Sequence, residues 1–222
     1  MAVWLCPGQG AQKVGMGADL LKSKTVSDVF DVLSDALDVD LAKLAKEGTQ
    51  EELNETVAAQ GLTMAVSVGV GRLLQSKGIE SDAIIGFSLG QISALVLSGI
   101  LSLEDAAQLL KVRSSSMARD CAAKEGGMLA LIGADLQAAQ EVCEQASEGD
   151  VLVCANHNGP QQVVISGTVE AIERAQKIWS DAGKKSARLA TAGAFHSPMM
   201  ENAAADIEEF CATLDFQEPK VK

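Results

Sequence analysis

Ser88 is the first residue that could do covalent chemistry, and it lies in the pentapeptide 86–90, Gly-Phe-Ser-Leu-Gly. This G-x-S-x-G motif follows an apolar segment, 82–86, that predicts a buried strand, and it precedes a helical pattern over 89–97. Such a turn exposes the serine Oγ, and the helix start offers backbone N–H groups, that of Leu89 first, to a developing oxyanion. The pattern predicts a nucleophilic serine. The alternative is a glycine turn without chemistry.

A serine nucleophile needs a base, and the chain has two histidines, His157 and His196. His196 is the better candidate because it lies between a predicted strand and a predicted helix, whereas His157 lies in a polar turn. The alternative for His196 is a role in helix capping or packing. No acid has the usual strand-end position of a triad member among Asp135, Asp150 and Asp181. We therefore expect a Ser–His dyad, with the imidazole oriented by a backbone carbonyl or an amide.

Two further residues could bind a reacting group. Gln9 lies in the loop 7–10, Pro-Gly-Gln-Gly, where the glycines let the backbone approach a ligand. Its N–H could be a second oxyanion donor, and the alternative is a tight turn. Arg113 lies on an otherwise apolar helix. Facing inward, it would need a carboxylate from protein or substrate, because a guanidinium binds carboxylate through two parallel hydrogen bonds. Facing outward, it is a solvated charge.

The elements that must position these residues alternate between strand and helix. The pattern predicts a strand over 2–6 and helices over 26–37, 50–77 and 102–118. It then predicts strand 128–132, helix 135–146, strands 151–155 and 162–166 around a turn at 158–160, helix 168–182 and strand 186–190. This β-α-β-β-α-β order is typical of a ferredoxin-like subdomain, inserted at 126–190. A last helix is predicted to about residue 214. The segment after it resembles the approach to another strand, so the chain looks cut short.

Composition excludes several classes of protein. The net charge of −12, from 18 basic and 30 acidic residues, argues against broad nucleic-acid binding. No uninterrupted apolar run reaches about 18 residues, so no membrane span is predicted, and the N-terminus does not have the pattern of a signal peptide. The cysteines number five, and no CxxC occurs. This pattern predicts reduced thiols in the cytoplasm, with no disulfide framework and no metal site.

A family resemblance rests on five motifs in a fixed order. They are Pro-Gly-Gln-Gly at 7–10, Gly-x-Ser-Leu-Gly at 86–90, Arg113, Asn-x-Asn-x-Pro-x-Gln-Val-Val-Ile-Ser-Gly at 156–167 and Gly-Ala-Phe-His-Ser-Pro at 193–198. Over essentially its whole length, the chain resembles the malonyl-CoA:acyl carrier protein transacylases of fatty acid synthesis and the acyltransferase domains of polyketide synthases. The resemblance implies an α/β fold. Its α/β-hydrolase-like large domain would have a parallel sheet and comprise 1–125 and 191–222, without its C-terminal part. The small ferredoxin-like subdomain would comprise 126–190.

The resemblance also implies an activity and a site. The implied reaction is ping-pong transfer of a malonyl group from malonyl-CoA to the phosphopantetheine thiol of acyl carrier protein, through a malonyl-serine. The implied roles are Ser88 as nucleophile, His196 as base, the backbone N–H groups of Gln9 and Leu89 as oxyanion donors, Arg113 as anchor of the malonyl carboxylate, Gln60 as a lining residue and Phe195 as the malonyl-selecting residue beside the histidine.

Three features depart from the family pattern. Phe87 replaces the usual histidine before the nucleophile, and Gln91 stands where glutamate is common. The family's chain also continues beyond this one, with strands, a helix and a polar residue that helps to orient the histidine.

The implied partners are malonyl-CoA and acyl carrier protein, with no nucleic acid, no membrane, and no cofactor or metal beyond the CoA thioester substrate. Because carrier proteins are acidic, docking on this acidic chain needs a local basic patch, for which Lys184, Lys185 and Arg188 are the candidates. The alternative for these three is a solvated helix end. Two other functions stay open: a serine hydrolase or thioesterase of similar fold, and a truncated, non-catalytic chain that binds carrier protein.

Overall fold

The computed structural model describes residues 1–221, which form two compact units. One unit consists of Met1–Ser115 with the segment from Ile207 onward, and the other consists of Ser116–Asp206. The second unit contains the whole of the predicted insertion, 126–190, together with residues on both sides of it. The domain boundaries taken from the sequence stay a prediction.

Strands and helices alternate along the chain, as the sequence predicts for an α/β protein. In chain order they are β1 (Val3–Cys6), α1 (Lys24–Leu37), α2 (Leu41–Glu47), α3 (Gln50–Asn54), α4 (Thr56–Gln75), β2 (Ala83–Gly86), α5 (Gly90–Leu97), α6 (Leu103–Ala123), β3 (Gly126–Ile132), α7 (Leu136–Ser147), β4 (Leu152–Gly159), β5 (Gln162–Thr168), α8 (Val169–Asp181), β6 (Ser186–Arg188) and α9 (Glu201–Cys211).

A parallel pair of strands organises the first unit. β1 and β2 pair from Val3 opposite Ala83 to Cys6 opposite Gly86. Because both strands run in the same direction, their carboxyl ends lie at one edge of the sheet, where ligand sites of α/β folds gather. The loops 7–10 and 86–90 both leave from this edge, and the N–H of Phe87 donates to the carbonyl of Cys6 at 3.0 Å. The fold thus brings the two glycine loops together.

Helix α4 forms the core of the first unit. It packs against α1 and α5, and most of its first half is buried. Within residues 1–221 it is the helix long and apolar enough to cross a membrane by length and composition, with a mean hydropathy of 1.4. Because 61% of its apolar 18-residue stretch is buried inside the protein, we interpret α4 as a core helix.

The second unit has the predicted ferredoxin-like topology. Its sheet has the strand order β4-β5-β3-β6, and each neighbouring pair is antiparallel. Helices α7 and α8 pack on one face, where Leu129, Leu131 and Ile165 meet Val142 and Trp179. Side chains alternate between the two faces of a strand. The neighbouring residues Met128, Ala130 and Val164 therefore point to the other face of the sheet. There they belong to a second apolar cluster, whose other buried members are Met117, Phe195, Met200 and Ala203.

Several element boundaries differ from the sequence prediction. The predicted helix over 50–77 is two helices, because Glu55 has an extended ψ of 134° between α3 and α4. Helix α2 was not predicted, although Asp40 caps it through the N–H of Lys43 at 2.8 Å. Strand β4 extends into the predicted turn at 158–160 and ends at Gly159 after irregular pairing, so the exposed His157 lies in a strand and not in a turn. The last helix ends at Cys211.

Candidate active site

Ser88 lies on a sharp turn between β2 and α5. Its φ is +51°, a left-handed conformation that non-glycine residues rarely adopt. The flanking glycines are required by backbone contact. A Cβ at Gly90 would collide with the carbonyl of Cys6, and a Cβ at Gly86 would collide with the backbone of Gln91. The serine is therefore presented at the end of the strand by a turn that only glycines can flank, which is the geometry of a nucleophile elbow.

The helix that follows this turn supplies backbone donors. Leu89 is fully buried and is the N-cap of α5, next to Ser88. The first N–H groups of a helix have no partner within the helix and carry partial positive charge. The N–H groups of Gly90 and Gln91 donate to the carbonyls of Phe87 and Ser88 in the turn, which leaves the N–H of Leu89 as the candidate donor to an oxyanion formed at Ser88.

Arg113 lies beside the serine. It comes from α6, and its Nη2 donates to the Oγ of Ser88 at 3.3 Å while its Nη1 donates to the Oε1 of Gln60 at 2.6 Å. Within residues 1–221, no carboxylate forms a salt bridge with Arg113. Burial lowers the pKa of this guanidinium from its ordinary value to about 10, so it remains a cation at neutral pH. Arg113 is thus a partly buried cation that lies next to the proposed nucleophile and donates hydrogen bonds to two neutral side chains, those of Gln60 and Ser88.

Gln60 connects the arginine to the glycine loop 7–10. It is fully buried on α4, and its Nε2 donates to the Oε1 of Gln9 at 3.3 Å. In the same loop, a Cβ at Gly8 would lie 2.9 Å from the ring and the carbonyl of Phe87, so the two loops pack closely. The first unit thus brings together Ser88, Leu89, Arg113, Gln60 and Gln9, which the sequence analysis selected as site residues.

His196 belongs to the second unit. It is exposed and has a φ of +57°, and a buried segment precedes it. The Oγ of Ser197 donates to the carbonyl of Ala194 at 2.6 Å and accepts from the N–H of Met199, which fixes the turn around the histidine. The buried carboxylate of Asp120 accepts from the N–H of Ala203 at 2.8 Å and holds the start of α9.

The remaining predicted residues of the second unit have structural partners. Phe195 is buried in the cluster that contains Met117, Met128 and Met200. The three acids considered for a triad have local roles. Asp135 caps α7, Asp150 pairs with Arg174 at 2.6 Å, and Asp181 pairs with Lys177 at 2.6 Å.

A basic groove of about 640 Å³ lies between α8 and β6. The charged residues that line it are Glu173, Lys177, Asp181, Lys184, Lys185 and Arg188. Arg188 pairs loosely with Glu173 at 3.5 Å, and Lys184 lies over the ring of Trp179, 4.0 Å from its centroid. In the part of the chain that the structure describes, neither Lys184 nor Lys185 has a salt bridge, so their charges are open to an anionic partner.

Two residues that support the loop 7–10, Gln12 and Asn54, were not predicted from the sequence. The Oε1 of Gln12 accepts from the N–H of Gly10 at 2.7 Å, and its Nε2 donates to Asn54 at 3.3 Å. The signal available in the sequence was a second glutamine three residues after Gln9. Among residues 1–221, no group of three or more His, Cys, Asp or Glu could hold a metal ion.

Comparison with known proteins gives consistent matches. The acyl transferase domain family matches residues 3–222. A malonyl CoA-acyl carrier protein transacylase from Haemophilus influenzae is 40% identical over 213 residues, which cover 94% of this chain and 67% of the relative. The crystal structure of a malonyl-CoA:acyl carrier protein transacylase from Xanthomonas oryzae has a TM-score of 0.92 at 36% identity, covering 99% of this chain and 71% of that one.

A third match is a complex of a type II polyketide synthase acyl carrier protein with its malonyl-transacylase. It has a TM-score of 0.92 at 34% identity and covers 99% of this chain and 72% of that one. The structural matches agree with the α/β fold of this chain. The chain belongs to the acyl transferase domain family.

Proposed function

We propose that this chain transfers a malonyl group from malonyl-CoA to the phosphopantetheine thiol of an acyl carrier protein in fatty acid biosynthesis. The reaction runs through a malonyl ester of Ser88. The observation that carries the proposal is Arg113, a partly buried cation whose two recorded acceptors, Gln60 and Ser88, are neutral. Burying a charge without an opposite charge is costly, and the free carboxylate of a malonyl group supplies that charge. The names of the relatives support the same acyl group and the same acceptor.

In the first half-reaction, the Oγ of Ser88 attacks the thioester carbonyl of malonyl-CoA, and His196 accepts the hydroxyl proton. The backbone N–H groups of Gln9 and Leu89 donate to the oxyanion of the tetrahedral intermediate. The C–S bond then breaks, and the imidazolium returns its proton to the departing CoA sulfur. Malonyl-Ser88 and CoA-SH are the products of this step.

The second half-reaction reverses these steps with another thiol. The phosphopantetheine thiol of the carrier protein gives its proton to His196, and its sulfur attacks the ester carbonyl. Collapse of the second tetrahedral intermediate breaks the bond to the Oγ of Ser88, which recovers the proton. Gln60 lines the acyl pocket and holds Arg113, and Phe195 contributes to selection of malonyl.

We also propose that the groove between α8 and β6 docks the carrier protein through Lys184, Lys185 and Arg188. The open charges of the two lysines support this assignment, because an acidic protein is attracted to a basic patch even when the whole chain is acidic. The five free thiols support a reducing location, for which we propose the cytoplasm.

Intact-mass measurement tests the reaction. The purified chain is incubated briefly with malonyl-CoA, with the Ser88→Ala variant as the matched control. We expect one added malonyl group in the original chain and none in the variant. Folded protein that gains no malonyl group contradicts the proposal. A malonyl adduct that is lost to water at the rate of turnover, without any thiol acceptor, indicates a thioesterase instead.

A further inference from the structure

The loop 7–10 is held by a buried side chain to which the proposed reaction gives no role. Gln12 is only 8% exposed, and its Oε1 accepts from the N–H of Gly10 at 2.7 Å. Its Nε2 donates to the Oδ1 of Asn54 at 3.3 Å, and the same oxygen accepts from the Nε2 of Gln50 at 2.9 Å. Gln12 therefore ties the loop to the end of α3.

Gly10 is the point at which this support is needed. Its φ is +105°, a conformation that glycine adopts readily, and no heavy atom lies within 4 Å of the position of a Cβ. Because no atom packs at this position, side-chain packing does not hold the direction of the backbone at Gly10. A flexible glycine next to Gln9 allows many orientations of the peptide planes. The hydrogen bond from Gly10 to Gln12 selects one of them.

The loop is fixed from a second direction by Gln60. The Oε1 of Gln9 accepts from Gln60, which in turn accepts from Arg113. The side chain of Gln9 is thus fixed on the side of Arg113, and the backbone after Gln9 is fixed by Gln12. Gln12 does not contact Arg113, so we expect its loss to release the peptide planes of the loop and to leave the contacts of Arg113 in place.

We propose that Gln12 is a positioning residue for acyl transfer, and that Asn54 in turn orients Gln12. The hydrogen bond from Gly10 to Gln12 fixes the peptide plane that follows Gln9, and together with the bond from Gln60 it restricts the orientation of Gln9, whose N–H is the proposed oxyanion donor. This assignment rests on the proposed function. Because a donor displaced by about 1 Å can cost on the order of 100-fold in rate, we expect Gln12 to affect the chemical step more than substrate binding.

Paired variants test the role. Gln12→Ala removes both hydrogen bonds, whereas Gln12→Glu keeps an acceptor oxygen for the N–H of Gly10. Asn54→Ala removes the acceptor of the Gln12 amide, and Asn54→Asp keeps an acceptor oxygen for it. Gln137→Ala, which removes an exposed amide that donates to Glu141 on α7, is the matched control. The measurements are kcat and KM for malonyl-CoA, the thermal midpoint, and hydrogen exchange at the Gly10 amide.

We expect Gln12→Ala to lower kcat by about 10- to 100-fold with KM within about twofold of the original, and to expose the Gly10 amide to exchange. Gln12→Glu should recover most of the rate and the protection. Three outcomes overturn the role: an unchanged kcat in Gln12→Ala, a rise in KM alone, or equal losses in the Ala and Glu variants. If the proposed function itself is wrong, the original chain gains no malonyl group on Ser88. If only the role of Gln12 is wrong, the original chain is malonylated and one of the three outcomes above is seen.

Discussion

The Nη2 of Arg113 lies 3.3 Å from the Oγ of Ser88, and the Nη1 of the same guanidinium lies 2.6 Å from the Oε1 of Gln60. The nucleophile and a cation thus occupy one site, and both recorded acceptors of the cation are uncharged. A site of this composition favours an acyl group with its own negative charge. Burial of a cation without a carboxylate partner costs free energy, which the carboxylate of a bound substrate would offset.

Replacing Arg113 with a neutral residue should raise the stability of the chain and lower its activity. Arg113→Met keeps the length of the side chain and removes the buried charge, so we expect the free energy of unfolding to rise by about 1–2 kcal/mol. For a chain of this size the thermal midpoint should then rise by roughly 2–8 °C. Malonylation of Ser88 should fall by at least about 100-fold. Malonate should stabilise the original chain and not the variant. A lower midpoint in Arg113→Met, or malonylation at the original rate, contradicts this account.

The elbow should not accept even one methyl group. Gly90→Ala places a Cβ against the carbonyl of Cys6, and because this is a backbone atom the strand itself must move. We expect a loss of about 3 kcal/mol in the free energy of unfolding, together with loss of malonylation. Gly127→Ala is the matched control, because no heavy atom lies within 4 Å of its Cβ. Urea unfolding of both variants checks the prediction, which fails if the two are equally stable.

Charge reversal should affect the carrier protein alone. In the double variant Lys184→Glu with Lys185→Glu, we expect KM for the carrier protein to rise about tenfold or more while the rate of Ser88 malonylation stays unchanged. The effect should shrink as salt is added, because exposed charges are screened within about 10 Å at 0.1 M ionic strength. Steady-state kinetics at two salt concentrations measures it. Equal carrier KM values in both proteins remove the docking assignment.

Alkaline stability should depend on Cys143. Burial, with a smaller contribution from Cys154, raises the pKa of its thiol to about 12. An acid whose pKa is raised by folding holds its proton in the folded chain after the unfolded chain has lost it. The unfolding free energy should therefore decline from about pH 9 to about pH 12. The Cys143→Ala variant should be less stable at neutral pH and show a shallower decline. Equal slopes in unfolding experiments at stepped pH count against this assignment.

Local patterns predicted much of this structure. The β-α-β-β-α-β order was predictable because strands such as 162–166 and helices such as 168–182 have clear periodicities and turn signals. Helix α2 is short, and its apolar positions do not extend over enough turns to reveal a period. The break at Glu55 is a single backbone rotation that no composition signals.

Some residues of the candidate site were predictable from the sequence and others were not. Ser88 was predictable because its motif is local. The direction in which the Arg113 side chain points was not predictable, because its hydrogen-bond partner Gln60 lies 53 residues away in sequence. Gln12 was missed for the same reason, since its importance depends on Asn54 at the end of another helix.

The glycines of the elbow also limit how this chain can evolve or be redesigned. A clash between two side chains can be relieved by a second substitution, but the obstacles at Gly86 and Gly90 are main-chain atoms that every amino acid carries. No compensating mutation elsewhere in the first unit removes them without moving the strand. In a saturation library these positions should therefore return glycine alone in every genetic background.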